Sequence, residues 1–157
     1  MRVIGLDIET DTSDLTPQER AAGHTSRGLN PAITSIASIA LADNGRATVL
    51  DGDEATMLLD LDELLGASQY AVIATWNGSV FDLPFLSDRA RVHGITLGLA
   101  IEPNPLIIPK YEPTPGHVGG YEAVWHRASG IPHAHLDVAY ALKDLSWRHG
   151  IPWGLKP

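Results

Sequence analysis

Apolar positions along the chain change their spacing several times, and each change marks an element. Met1 to Thr10 carries Val3, Ile4, Leu6 and Ile8, apolar on both faces, which predicts a buried central strand covered on both sides. A polar stretch from Asp11 to Pro31 follows, in which Thr16-Pro17-Gln18-Glu19 has capping-box spacing with proline in the first turn. A short helix through about Ala22, stopped by Gly23, is predicted there. Ile33 to Ala42 and Ala47 to Leu50 read as strands joined at Asp43-Asn44-Gly45, because Asn-Gly suits a tight hairpin. Glu54 to Leu65 places Met57, Leu58, Leu61, Leu64 and Leu65 at helical spacing, with Gly66 as its end. Tyr70 to Trp76 is again a buried strand, and Leu83 to His93 a helix stopped by Gly94. This order, three strands, helix, strand, helix, predicts an α/β layer fold with a mixed sheet.

Residues 95–132 depart from that regularity. Pro103, Pro105, Pro109, Pro113, Pro115 and Pro132 break the stretch, together with Gly116, Gly119 and Gly120, while Leu106-Ile107-Ile108 and Tyr121 to Trp125 have strand character. It reads as a long, partly ordered excursion within the domain, of the kind that usually serves function. Pro132 to Leu136 then predicts a last strand, and Asp137 to Arg148 a helix closed by Gly150 and Pro152.

Composition narrows the picture. At 157 residues and 44% hydrophobic content the chain has the size and core of one domain. Without cysteine it has neither disulfides nor thiolate metal sites, so any metal must be held by Asp, Glu or His. No apolar run has membrane-spanning length and the N-terminus lacks a signal-peptide layout, which predicts a cytosolic protein with no membrane partner. A formal net charge of -8 excludes a protein that coats nucleic acid electrostatically, but not a nuclease, which needs only a local basic rim.

Two stretches carry candidate chemistry. Asp7 and Glu9 point the same way from the first strand, with Ile8 opposed. Two acids on a buried face repel and lose hydration unless a cation or proton lies between them, and a hard divalent metal answers that. The alternative is a strand end running into solvent. The second stretch is Trp76-Asn77-Gly78-Ser79-Val80-Phe81-Asp82-Leu83-Pro84-Phe85-Leu86, a strand-to-helix loop with Pro84 in the first turn. Taken alone, Asp82 reads as an N-cap and Asn77 as a turn residue bonding its own backbone. His133 and His135 alternate on one strand face as a transition-metal pair would, but with no third ligand; surface or capping roles are preferred.

Together, Asp-x-Glu on a first strand and Asn-x-x-x-Phe-Asp-x-Pro-Phe-Leu after a later one resemble the DEDD superfamily of 3'-5' exonucleases, on the ribonuclease H-like fold. The resemblance looks closest to the proofreading domain of family B DNA polymerases and its stand-alone relatives, and Asn30-Pro31 leading into Ile33-Thr34-Ser35-Ile36 sits where such proteins begin their second strand. It implies an α/β three-layer fold with a mixed central sheet, and two Mg²⁺ or Mn²⁺ ions held about 4 Å apart by Asp7, Glu9 and Asp82 around a scissile phosphate. One ion would activate the attacking water and the other stabilise the departing 3'-oxygen. The implied partners are 3' ends of single-stranded DNA or RNA, and a replication or repair complex. Thr10, Asn77 and Phe81 become candidate substrate contacts, and Tyr111, Tyr121 and Trp125 candidates for stacking on bases. A ribonuclease H-type endonuclease and a catalytically inactive nucleic-acid-binding or scaffolding domain are the alternatives.

The family's fourth carboxylate lies on a late helix, preceded by Tyr at four residues or His at five. No His stands five before a later Asp, whereas Tyr140-Ala141-Leu142-Lys143-Asp144 fits the tyrosine form and makes Tyr140 and Asp144 candidates. At about 100° per residue, Val138, Ala141, Leu142 and Leu145 form an apolar stripe with Tyr140, Asp144 and Trp147 nearly opposite. If the stripe packs on the sheet, Asp144 points away from Asp7. In the polymerase relatives a helix opening with Leu-Asp, as Leu136-Asp137 does, precedes a second helix and only then the tyrosine motif. Trp153 to Pro157 resembles the start of that second helix, so the chain is expected to continue beyond Pro157.

Overall fold

Strand β1 (Arg2–Thr10) lies at the middle of the sheet, antiparallel to β2 (Ile36–Asp43) and parallel to β4 (Ala71–Thr75). The computed structural model describes residues 1–11, 13–25, 29–68, 70–103, 121–126 and 132–150, without the side chains of 102, 103, 121–126, 132, 140, 141, 143, 144 and 147. A tight turn joins β2 to β3 (Arg46–Asp51), with Asn44 at φ 50° and Gly45 at φ 77°, the two left-handed residues that the Asn-Gly step predicts. On the other side β4 pairs in parallel with β7 (Pro132–Asp137), completing a mixed five-strand sheet. β6 (Tyr121–His126) and β5 (Leu99–Pro103) continue it, giving the order β3-β2-β1-β4-β7-β6-β5. The α/β fold with a mixed central sheet is therefore present. Leu106 to Ile108 and Tyr111 lie outside the described residues.

Among the described residues three helices lie between strands, α1 (Pro17–Ala21), α2 (Glu54–Ala67) and α3 (Asp82–Val92), and α4 (Val138–His149) follows β7. The capping box of α1 closes in both directions, between Thr16 Oγ1 and the Glu19 N–H and between the Thr16 N–H and Glu19. Gly66 does not stop α2, which runs on to Ala67. A helical glycine costs roughly 1 kcal/mol, and the fully buried Leu65 beside it holds the last turn on the core. Gly150, at φ 62°, does end α4. Among the described residues no helix is long and apolar enough to cross a membrane.

The core lies on one side of the sheet. Ile4, Leu6, Ile8, Ile39, Leu41 and Ile73 meet Met57, Leu58, Leu61 and Leu65 of α2 and Leu83, Phe85, Leu86 and Ala90 of α3. Each of these side chains larger than alanine contributes about 1.5–3 kcal/mol by leaving water. The opposite side differs from the expectation of a strand buried on both faces: Val3 is 44% exposed, and Asp7 and Glu9 are exposed as well. The reason lies in the sequence itself. Ile4, Leu6 and Ile8 alternate with Gly5, Asp7 and Glu9, the period of a half-buried strand, and Val3 alone does not make a second apolar face. On α4, two residues of the apolar stripe, Leu142 and Leu145, are 40% and 48% exposed, while Ala139 is buried. The Tyr140, Ala141 and Asp144 side chains lie outside the described residues.

Candidate active site

Parallel pairing of β1 with β4 ends at Gly5 opposite Ala74, because β4 turns off into the loop that begins α3. The Ile8 N–H, past that point, donates instead to Asp82 Oδ1 at 3.2 Å. Buried backbone donors need a partner, and this one takes the carboxylate of the second stretch, which thereby lies beside Asp7. Asp82 is not an N-cap. Phe81 holds that position without a side-chain capping bond, and Asp82 is the first helical residue, 2% exposed.

Burial, then the neighbouring Asp7 charge, push the Asp82 carboxyl up to about 7, against the hydrogen bond from Ile8 and with a further push from Asp137. Repulsion between acids is therefore present at Asp82, from Asp7 and Asp137. Asp7 and Glu9 share a face of β1 and are exposed, and a shift in the β1–β2 register between Glu9 and Thr10 separates Thr10 from the pair. Such bulges re-aim side chains beside active sites. Thr10 then pairs with Ile36 at the start of β2.

The loop that delivers Asp82 is tightly wound. Asn77 has φ 63°, and its carbonyl accepts from the N–H groups of Val80 and Phe81, both at 3.1 Å, so its backbone serves the turn. Gly78 has no alternative: an added Cβ would lie 2.2 Å from Thr75 Oγ1 and 2.4 Å from Thr75 Cβ. Its carbonyl accepts from the Leu83 N–H at 3.0 Å, tying the loop to the first turn of α3. Phe81 is half-buried against Phe85, ring centroids 5.4 Å apart, and so supports the core.

A further acid, which sequence reasoning treated only as the start of a helix, completes the picture. Asp137 Oδ1 accepts from the Asn77 N–H at 2.9 Å and the Ala139 N–H at 3.1 Å, and Oδ2 accepts from the Ser79 N–H at 3.0 Å. The available signal was an N-cap residue type at a strand-to-helix junction; its reach to another loop had none. His133 and His135 are accounted for by the fold. His133 Nδ1 accepts from the Ala71 N–H at 3.0 Å, leaving Nε2 to donate to Leu65 O at 2.8 Å, and His135 Nε2 bonds Thr75 Oγ1 at 2.9 Å.

The donor chemistry fits a hard cation. Asp7 and Asp82 are oxygen donors, they repel one another, and a divalent ion between them relieves the cost of keeping Asp82 ionised in a buried place. Among the described residues, however, no three Asp, Glu or His side chains converge as a metal-holding group. The structure thus brings Asp82 to Asp7 and leaves Glu9 beside them on the strand without closing a triad. The stacking candidates Tyr121 and Trp125 have side chains outside the described set.

Residues 34–101 match the family model of the DNA polymerase family B exonuclease domain. The matched stretch holds β2 to α3 with Asn77 and Asp82, and stops short of Asp7 and Glu9. Among solved structures, the family B DNA polymerase from the hyperthermophilic archaeon Pyrobaculum calidifontis is similar over 91% of this chain, at 21% identity and a TM-score of 0.48. That alignment takes in 16% of the polymerase.

Proposed function

We propose, starting from an exonuclease-like domain of the family B DNA polymerase kind, that this chain is a divalent-metal-dependent 3'-5' exonuclease acting on single-stranded DNA or RNA ends. The observation that carries the reading is the buried Asp82 carboxylate, bonded to the backbone of β1 beside Asp7 and costly to ionise there without a counter-charge. Asp7, Glu9 and Asp82 would hold two Mg²⁺ or Mn²⁺ ions, and bound cations supply activation of the attacking water and neutralisation of charge at the departing 3'-oxygen. The chain's own contribution is placement. The Ile8 amide orients Asp82 and β1 presents Asp7 and Glu9 on one exposed face, with Asn77 and Thr10 as candidate substrate contacts. Tyr140 and Asp144, both on α4, are the candidates for water orientation and the fourth carboxylate. A cytosolic site of action and a replication or repair partner belong to the same proposal.

End-labelled single-stranded oligonucleotides with Mg²⁺ or Mn²⁺ test this reading: stepwise shortening from the 3' end is expected, and loss of it in Asp7→Ala. Full activity in Asp7→Ala sinks the assignment, cutting of circular substrates points to an endonuclease instead, and an Asp144→Asn variant with wild-type turnover removes Asp144. A second reading is a catalytically inactive nucleic-acid-binding or scaffolding domain. Calorimetric titration with Mn²⁺ separates the two, because tight binding of two ions disfavours the scaffold.

A further inference from the structure

The Asp137 carboxylate, 8% exposed, spends both oxygens on backbone amides that come from two different elements. One is the Ala139 N–H of its own helix, α4; the other two are the Asn77 and Ser79 N–H groups of the loop between β4 and α3, on either side of Gly78. An N-cap needs only the first. The other two bonds join the end of β7 to a loop whose remaining backbone bonds lead straight into α3, from Asn77 O to the Val80 and Phe81 amides and from Gly78 O to the Leu83 amide. Asp82 is the first residue of that helix.

We infer that Asp137 is a positioning residue for the proposed exonuclease site: by clamping the Asn77 and Ser79 amides it fixes the N-terminus of α3 and hence the Asp82 carboxylate against β1. The inference rests on the exonuclease reading for its catalytic consequence, but the clamp itself is a separate claim. Groups that orient a metal-binding carboxylate without touching the metal typically change affinity or activity by about 10- to 100-fold when replaced. Capping of α4 and clamping of the loop are separable, since serine is a good N-cap yet has one oxygen in place of the two that serve the loop and helix.

Two variants of the full chain, Asp137→Asn and Asp137→Ser, decide the matter with turnover, KM and Mn²⁺ affinity measured well below the unfolding midpoint. Clamping predicts that kcat falls about 10- to 100-fold in both, Mn²⁺ binds correspondingly more weakly, and KM for the oligonucleotide stays within about twofold. Variants that melt earlier but keep wild-type kcat and Mn²⁺ affinity overturn the inference and leave Asp137 a helix cap. Amide hydrogen exchange on the wild-type chain gives a test that does not depend on how the variants fold: the Asn77 and Ser79 amides should exchange as slowly as those of β4, and rapid exchange at both overturns the clamp. A wild-type chain that neither cleaves oligonucleotides nor binds Mn²⁺ fails the exonuclease reading, whereas slow exchange at Asn77 and Ser79 with rapid exchange in Asp137→Ser still establishes the clamp.

Discussion

Asp82 illustrates how a single side chain is held in a place that opposes its charge. Its carboxyl titrates near 7 in the folded chain against an ordinary 3.8, so the folded state binds that proton more tightly than the unfolded one. The folded chain is therefore favoured below both values and loses stability as pH rises from about 4 to about 7, by an amount of the order of a few kcal/mol. In metal-free buffer the melting temperature should fall across that window, and Asp82→Asn should flatten the fall and melt higher than wild type at pH 8, while losing Mn²⁺ binding. A wild-type melting temperature that is flat over the same window would refute the account. Gly78 poses a steric question where Asp82 poses an electrostatic one. A methyl there meets the buried Thr75 side chain at 2.2 Å, so Gly78→Ala must displace the loop, at a cost of about 1–3 kcal/mol readable in urea denaturation.

At the scale of elements, α2, α3 and the start of β2 are joined by a buried ion pair. Arg89 of α3 bonds both carboxylate oxygens of Glu54 on α2, and its third donor reaches Pro31 O at 2.6 Å. Glu54 also accepts from the Ile36 N–H at 2.6 Å and meets His93 Nε2 at 2.7 Å. Burial alone would raise the Glu54 carboxyl, but the bonds from Arg89, His93 and Ile36 outweigh it and hold it below its ordinary value. This contribution to stability is present at neutral pH and is lost as pH falls below about 4.5, a window apart from that of Asp82. Arg89→Met removes the guanidinium partner of a buried carboxylate and should cost about 3–5 kcal/mol, seen as a lower urea midpoint; a change within error would show the pair to be dispensable. The sequence made the helices themselves legible, through apolar spacing on α2 and α3 and the capping box of α1, but not this network. Glu54 sits at the N-terminus of α2 and Arg89 in the last turns of α3, where acid and base are common anyway, so nothing local marks them as partners.

For the molecule as a whole, the mixed α/β sheet and the meeting of the two candidate stretches were legible because both depend on short patterns: apolar spacing within each element, and Asp-x-Glu on a strand with a strand-to-helix loop ending in Asp82. What the sequence concealed is which side of each element is covered. Val3 suggested a second buried face for β1 and the leucines of α4 suggested a packed stripe, yet Val3, Leu142 and Leu145 are all substantially exposed. Covering a face depends on where the helices land. α2 and α3 both pack on the Ile4–Leu6–Ile8 side, and periodicity within one element carries no information about its neighbour's choice.

The hydrogen bond from Ile8 to Asp82 spans 74 positions of sequence. Hairpin contacts between β2 and β3 lie only a few residues apart, whereas bringing Asp82 to β1 requires β4 to dock in parallel first, and long loops close slowly and at an entropic cost. Assembly of the proposed metal site should for this reason be among the last events of refolding from urea. In stopped-flow experiments the far-ultraviolet signal should return ahead of Mn²⁺-binding competence, and simultaneous recovery would show that the parallel docking is not the slow step.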